Sequence, residues 1–151
     1  MNLKNSVVEI LLVEDNENDA ELAIHSLKKH NLANNLKWVK DGAEALDFLF
    51  HKGEYSQNSF TSPKVVLLDL RLPKIEGIDV LKEIRSHSET HDIPVVVLTS
   101  SKEEKDLIEA YKLGVNSYVP KPVSFEDFSK TIAELGMYWL FINKLPPDMD
   151  S

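Results

Sequence analysis

Short runs of Val, Ile and Leu that alternate with longer segments of helical period restrict the fold of this chain more than any other feature. The predicted strands are Val7–Val13, Leu36–Val39, Val65–Leu68, Val95–Leu98 and Ser117–Val119. Nearly continuous apolar runs are typical of strands that are buried on both faces of a parallel sheet. Successive strand–helix units therefore predict a doubly wound α/β fold with right-handed crossovers.

The segments between these runs carry apolar residues at helical spacing. Four predicted helical faces consist of Ala20, Ala23, Ile24 and Leu27; Ala43, Leu46, Leu49 and Phe50; Val80, Leu81 and Ile84; and Leu107, Ile108 and Tyr111. The last predicted helix carries Phe125, Phe128, Ile132, Leu135, Trp139 and Ile142. Ser124 is its predicted N-cap, and Pro146–Pro147 is expected to end it. The polar segment 52–63 is predicted to be a surface loop.

No linker or internal repeat divides the sequence, so we expect one domain over residues 1–151. Its core is predicted at about residues 7–133, with the last helix extending to about residue 143 before a loose tail. The formal charge of −8 argues against nucleic-acid binding, which needs clustered Lys and Arg. The apolar runs are too short to cross a bilayer, and no signal peptide or cysteine is present. We therefore expect a cytoplasmic protein that does not bind membranes.

Polar residues directly after the predicted strands carry the chemistry. In an open parallel sheet the functional crevice lies beyond the carboxyl ends of the strands. Glu14 and Asp15 follow the first strand, and Asp69 follows the third. Thr99 follows the fourth strand, and Lys121 follows the fifth. Three carboxylates, a hydroxyl and an amine are therefore expected to converge at one edge of the sheet.

Carboxylates gathered at one site repel one another, and a hard divalent cation would offset this repulsion. Mg²⁺ prefers oxygen ligands, and Lys121 would neutralise further negative charge. Such a group is suited to receive a phosphoryl unit, because one carboxylate can attack phosphorus in line while the positive charges neutralise the equatorial oxygens. Thr99 would donate a hydrogen bond to the new phosphoryl group.

Each of these residues alone has a simpler explanation. Acidic residues are favoured at helix N-termini, and an Asp that follows a strand is usually a turn residue. A single lysine is usually a solvated surface charge. Their joint occurrence at the ends of separate strands favours the phosphoryl site over these explanations.

Four stretches of sequence carry a family resemblance. They are ILLVEDN (Ile10–Asn16), VVLLDLRLPKIEG (Val65–Gly77), IPVVVLTSS (Ile93–Ser101) and GVNSYVPKPV (Gly114–Val123). Together they resemble the receiver domain of two-component response regulators. The resemblance implies a flavodoxin-like (βα)5 fold with a five-stranded parallel sheet in the order 2-1-3-4-5. It also implies a signalling protein, not an enzyme, with slow self-dephosphorylation at most.

The resemblance implies a role for each matched acid. Asp69 would be the phospho-acceptor, and Asp15 would bind Mg²⁺ directly. Glu14 stands where many receivers have Asp, and its longer side chain suits contact with the ion through water. The backbone carbonyl of Arg71, two residues past Asp69, would be a further ligand.

The remaining matches concern the response to phosphorylation. Thr99 would be the switch hydroxyl, Lys121 the phosphate-binding lysine, and Tyr118 the aromatic residue that changes rotamer. Ser100 stands where many receivers have Ala or Gly, so the dephosphorylation rate is expected to differ. The Lys121–Pro122 peptide is expected to be cis, as is typical of the family.

Weaker signatures point to a subgroup of receivers. VEDNENDAELAIHSLKK, VKDGAEALDFL, the long loop before the third strand and the ending YWLFINKLP resemble single-domain regulators that are paired with phytochrome-type histidine kinases. The resemblance implies such a kinase as the phosphodonor. Output would then come through protein contacts of the surface formed by the fourth helix, fifth strand and fifth helix.

The C-terminal part of the last helix suggests a second interface. Tyr138, Leu140 and Phe141 lie off its predicted core-facing side, and extra apolar surface of this kind often marks a contact between proteins. We therefore predict a homodimer through this region, which phosphorylation would favour.

Three other interpretations compete with the receiver. A haloacid-dehalogenase-type phosphatase would need a second Asp two residues after the acceptor, where this chain has Arg71. A flavodoxin-like binding module would need a phosphate loop after the first strand, where EDNEND would repel phosphate. A receiver fold that serves only as a phosphate-independent interaction module is the remaining alternative, and the intact acceptor, acids, Thr and Lys argue against it.

Overall fold

The computed structural model of the protein describes residues 8–30, 35–57, 62–99, 104–121 and 123–134. Its strands are β1 (Ile10–Val13), β2 (Leu36–Val39), β3 (Val65–Asp69), β4 (Val95–Thr99) and β5 (Ser117–Pro120). Its α-helices are α1 (Glu17–Lys28), α2 (Gly42–Phe50), α3 (Gly77–Ser86), α4 (Glu104–Lys112) and α5 (Phe125–Glu134). A short 3₁₀ helix, Gly53–Tyr55, follows α2. Within the described ranges, no helix has the length and apolar character needed to cross a bilayer.

The strands form one parallel sheet in the order β2-β1-β3-β4-β5, which confirms the predicted topology. The predicted strand positions are correct to within three residues. β1 begins at Ile10 instead of Val7, and β3 and β4 continue through Asp69 and Thr99. The acidic residue that ends β3 is therefore part of the sheet, with its backbone held in the ladder.

Alternate residues of β1, β3 and β4 supply two separate cores, one on each face of the sheet. One core contains Leu11, Val13, Val66, Leu68, Val95 and Val97 with the buried residues of α2 and α3. The other contains Ile10, Leu12, Val65, Leu67, Val96 and Leu98 with the buried residues of α1 and α5. Because helices cover both faces, the strands read as continuous apolar runs, as predicted.

The buried face of α4 differs from the predicted one. Ile108 and Tyr111 are 56% and 47% exposed, whereas Ala110 is fully buried. α4 contacts the core through this small residue and through the partly buried Leu113 that follows the helix. The larger side chains are left on the surface, beside β5.

The predicted surface loop after α2 contains a buried aromatic residue. Tyr55 packs edge-on against Phe48, and its hydroxyl donates a 2.7 Å hydrogen bond to Glu44 Oε2. The polarity of the neighbouring residues concealed this position in the sequence. Tyr55 therefore anchors the described part of this segment to α2.

Candidate functional site

The register of the sheet brings the ends of the central strands to one edge. Val13 of β1 lies opposite Leu68 of β3, so Glu14 follows β1 at the level of Asp69. On the other side, Thr99 of β4 lies opposite Pro120 of β5, and Lys121 comes directly after that pair. The predicted meeting of distant stretches therefore follows from strand register.

Asp69 is buried, and both of its oxygens have partners. Oδ1 accepts a 3.0 Å hydrogen bond from the backbone N–H of Arg71. Oδ2 lies 3.0 Å from Nζ of Lys121. These contacts fix the carboxylate in orientation, which is a requirement for a nucleophile that must attack in line.

Glu14 is buried beside it. Its Oε2 accepts a 3.0 Å hydrogen bond from the backbone N–H of Asn16, and its Oε1 lies 3.1 Å from Lys121 Nζ. Burial, and to a smaller extent the charge of Asp69, raise the pKa of Glu14 to about 7, although the Asn16 N–H and Lys121 act in the opposite direction. The high pKa of Glu14 therefore reflects its burial beside a second carboxylate.

Asp15 completes the acidic group. It is exposed, between the buried Glu14 and the exposed Asn16. One carboxylate oxygen from each of Glu14, Asp15 and Asp69 lies within 4.8 Å of the others. Three oxygen donors at this spacing fit a hard cation such as Mg²⁺, which takes carboxylate ligands and retains several waters.

Lys121 is the cation that faces this group from β5, and Asp19 of α1 also contacts it. The Oδ2 atom of Asp19 lies 3.3 Å from Lys121 Nζ. Burial alone would lower the pKa of Lys121, but its hydrogen bond to Asp69 and the charges of Asp69 and Glu14 raise that pKa above its ordinary value. The ammonium therefore stays charged and contacts three carboxylates.

Asn16 starts α1 and fixes the far end of the acidic loop. Its side chain accepts a 2.9 Å hydrogen bond from the backbone N–H of Asp19, which makes it the N-cap. Asn, Ser, Thr and Asp are preferred at this position because they satisfy an otherwise unpaired helical N–H. The loop from Glu14 to Asn16 is thus short and held at both ends.

A family profile described as "Response regulator receiver domain" matches residues 10–133, which include all of these contacts. This match covers more than half of the chain. The chain belongs to the response regulator receiver family. The resemblance inferred from the four sequence stretches is thereby confirmed.

Curated relatives and solved structures place this receiver in a narrower group. It is 44% identical to the probable methanogenesis regulatory protein FilR2 of Methanothrix harundinacea, over 91% of this chain and 86% of that protein. It is 49% identical to the bacteriophytochrome response regulator AtBRR, with a TM-score of 0.80 over 88% of this chain and 95% of that one. The receiver is therefore similar to single-domain regulators associated with phytochromes, as the weaker signatures suggested.

Two further structures bear on the chemistry. The Mn²⁺-bound form of the response regulator Rcp1 is 40% identical, with a TM-score of 0.72 over 93% of this chain and 99% of that one; Rcp1 is a protein of Synechocystis. The phosphorylated cyanobacterial phytochrome response regulator RcpA is 35% identical, with a TM-score of 0.70 over 94% of this chain and 97% of that one.

The structure does not reach every residue that the sequence singled out. The side chain of Thr99 lies outside the described part of the receiver, as do Ser100, Pro122 and the predicted dimer residues Tyr138, Leu140 and Phe141. Tyr118 is described, and its side chain is 45% exposed on β5. The switch roles of Thr99 and Tyr118 stay predictions.

The contact between Asp19 and Lys121 was not predicted from the sequence. Asp19 lies in the first turn of α1, and its contact with Lys121 depends on how this helix is oriented towards the end of β5. The structure thus adds a fourth carboxylate to the site. The ammonium of Lys121 would otherwise have one carboxylate partner fewer.

Proposed function

We propose that this receiver accepts a phosphoryl group on Asp69 from the phosphohistidine of a histidine kinase, in a reaction that requires Mg²⁺. One observation carries the proposal: Lys121 Nζ lies 3.0 Å from the buried Asp69 and 3.1 Å from Glu14. A buried carboxylate that faces an ammonium beside two further acids has the charges that phosphoryl transfer needs. The receiver serves as a signalling protein and loses the group slowly at most.

The transfer forms one bond and breaks another at phosphorus. An oxygen of Asp69 bonds to phosphorus as the P–N bond to histidine breaks, and the imidazole nitrogen takes the electron pair. Lys121 neutralises charge on the equatorial phosphoryl oxygens. Bound Mg²⁺ would supply further neutralisation of those oxygens. The side chain of Asp15, the backbone carbonyl of Arg71 and, through water, Glu14 would hold the ion with Asp69.

The phosphorylated receiver signals through the surface formed by α4, β5 and α5. Thr99 and Tyr118 are the proposed switch residues. Ile108, Tyr111 and Tyr118, which are each 45% exposed or more, support a partner-binding role for this surface. Exposed aromatic and aliphatic side chains near one another are typical of protein contacts.

A phytochrome-type histidine kinase is the proposed phosphodonor. The similarity to AtBRR and RcpA, which are named as bacteriophytochrome and phytochrome regulators, supports this partner. FilR2 is comparably similar and is named as a probable methanogenesis regulatory protein, so the phytochrome-type kinase is proposed from AtBRR and RcpA. A cytoplasmic location would allow this partnership.

Intact-protein mass after incubation with acetyl phosphate tests the acceptor chemistry directly. We expect one phosphoryl adduct when Mg²⁺ is present and none when it is chelated. A folded protein that forms no adduct under either condition would favour the phosphate-independent interaction module. An adduct that forms equally without Mg²⁺ would contradict the cation requirement.

We also propose that one receiver domain spans residues 1–151. This receiver would form a homodimer through Tyr138, Leu140 and Phe141, more strongly when it is phosphorylated. The apolar sequence of this stretch supports the proposal. A concentration series in sedimentation velocity, with and without a phosphoryl mimic, should show association. A monomer at every concentration in both conditions would contradict it.

A further inference from the structure

Trp38 of the edge strand β2 contacts the loop that carries the acidic pair. Its indole Nε1–H donates a 2.8 Å hydrogen bond to the backbone carbonyl of Glu14. The backbone N–H of Glu14 donates in turn to the carbonyl of Val39, at 3.1 Å. Two adjacent residues of β2 therefore hold both backbone polar groups of Glu14.

The carbonyl of Glu14 is also the start of the peptide that leads to Asp15. Asp15 is exposed, so its orientation depends on how its backbone is held. On one side, Trp38 and Val39 hold Glu14. On the other side, Asn16 is fixed as the N-cap of α1. Loss of the Trp38 bond would release the carbonyl directly before Asp15, although Val39 would still hold the Glu14 N–H.

The indole N–H is separable from the packing of the ring. The Trp38 ring is half-buried against the α1 and α5 core, beside the partly buried Leu36. Nζ of Lys40 lies 5.2 Å from the ring centroid. A half-buried indole commonly finds some acceptor; what points to function is that this acceptor belongs to the acidic loop.

We propose that Trp38 is a positioning residue that orients Asp15 for the cation through the carbonyl of Glu14, an inference that rests on the proposed Mg²⁺-dependent function. Residues behind the ligands of a metal commonly affect its affinity in this way. Because the indole is bonded to the loop, its fluorescence should also respond when the cation binds.

The test uses a Trp139→Phe parent, in which Trp38 is the remaining tryptophan of the two in the chain. Mg²⁺ affinity is obtained from the dependence of the thermal midpoint on Mg²⁺ concentration, which needs no fluorophore. Indole emission is then titrated with Mg²⁺. We expect the emission of the parent to change with the same midpoint. Adding Trp38→Phe should weaken Mg²⁺ affinity about threefold to tenfold.

Leu36→Val in the same parent is the matched control, because it removes packing from β2 and retains the indole. Its Mg²⁺ affinity should equal that of the parent even though its stability falls. Any of three results would overturn the role of Trp38. They are an Mg²⁺ affinity of Trp38→Phe equal to that of the parent, a loss of Mg²⁺ affinity in Leu36→Val equal to that in Trp38→Phe, and Mg²⁺ binding without any change in indole emission. A parent that binds no Mg²⁺ would instead overturn the proposed function and this inference together.

Discussion

Asp69→Asn is expected to abolish the phosphoryl adduct altogether. An amide keeps the shape of the carboxylate and can still accept the hydrogen bond from the Arg71 N–H. It lacks the anionic oxygen that attacks phosphorus, and it cannot form an acyl phosphate by this route. The adduct should fall below detection under conditions where the unaltered protein is modified to high yield.

Asp79→Asn is the control for this experiment. Asp79 is an exposed acid on α3, and its contact is a 4.0 Å surface pair with Lys82. It should leave the adduct unchanged, and intact-protein mass resolves both variants in one series. An adduct that persists in Asp69→Asn would assign the acceptor to another residue. Equal losses in the two variants would point to a general effect of lost charge.

The fold was predictable because the central strands β1, β3 and β4 are buried on both faces. In β1, Leu11 and Ile10 face different cores, yet both must be apolar, so the strand appears in the sequence as an uninterrupted run. The strand positions were then enough to predict which residues meet at the site. The strand ends align when parallel strands of similar length fill one sheet.

The parts that sequence reasoning missed depend on single side chains. Nothing in a polar segment marks Tyr55 as buried, because one hydrogen bond to Glu44 determines its position. Ile108 was expected in the core, but the sheet accepts Ala110 of α4 instead. Asp19 and Trp38 reach the site from α1 and β2, and their contacts depend on how these elements are oriented around the loop.

Lys121→Met is expected to destabilise the protein strongly in the absence of divalent cations. Lys121 contacts Asp69 and Glu14, whose side chains are only 5% and 1% exposed. Removing one partner from a buried ion pair leaves the other charge uncompensated, which typically costs about 3–5 kcal/mol. We expect a fall of about 3 kcal/mol in the free energy of unfolding, measured with urea in a chelating buffer.

The pH dependence of this loss identifies its cause. Burial raises the pKa of Glu14 from 4.5 to about 7, and Lys121 acts against that rise. A carboxyl with a raised folded-state pKa makes the folded state less stable as pH rises from the unfolded to the folded value. In Lys121→Met the pKa of Glu14 in the folded state is higher still. The stability of this variant therefore continues to fall above pH 7, whereas the stability of the unaltered protein stops falling near that pH. The difference between the two proteins should therefore be larger at about pH 8.5 than at about pH 6.

Lys74→Met is the control that shows whether the pH-dependent loss of stability in Lys121→Met is specific to Lys121 or follows the loss of any lysine. Lys74 pairs with Asp41 at 3.3 Å, but its side chain is 67% exposed, so the change should cost at most about 1 kcal/mol. Burial alone would raise the pKa of Asp41, but the backbone N–H of Glu44 and Lys74 lower it. The contribution of Asp41 to stability is lost only as pH falls into the acid range. The loss of stability in Lys74→Met should therefore be the same at about pH 6 and at about pH 8.5. A pH-independent loss in Lys121→Met would mean that Lys121 does not lower the pKa of Glu14, and would contradict a direct role of this ammonium in balancing the charge of Glu14.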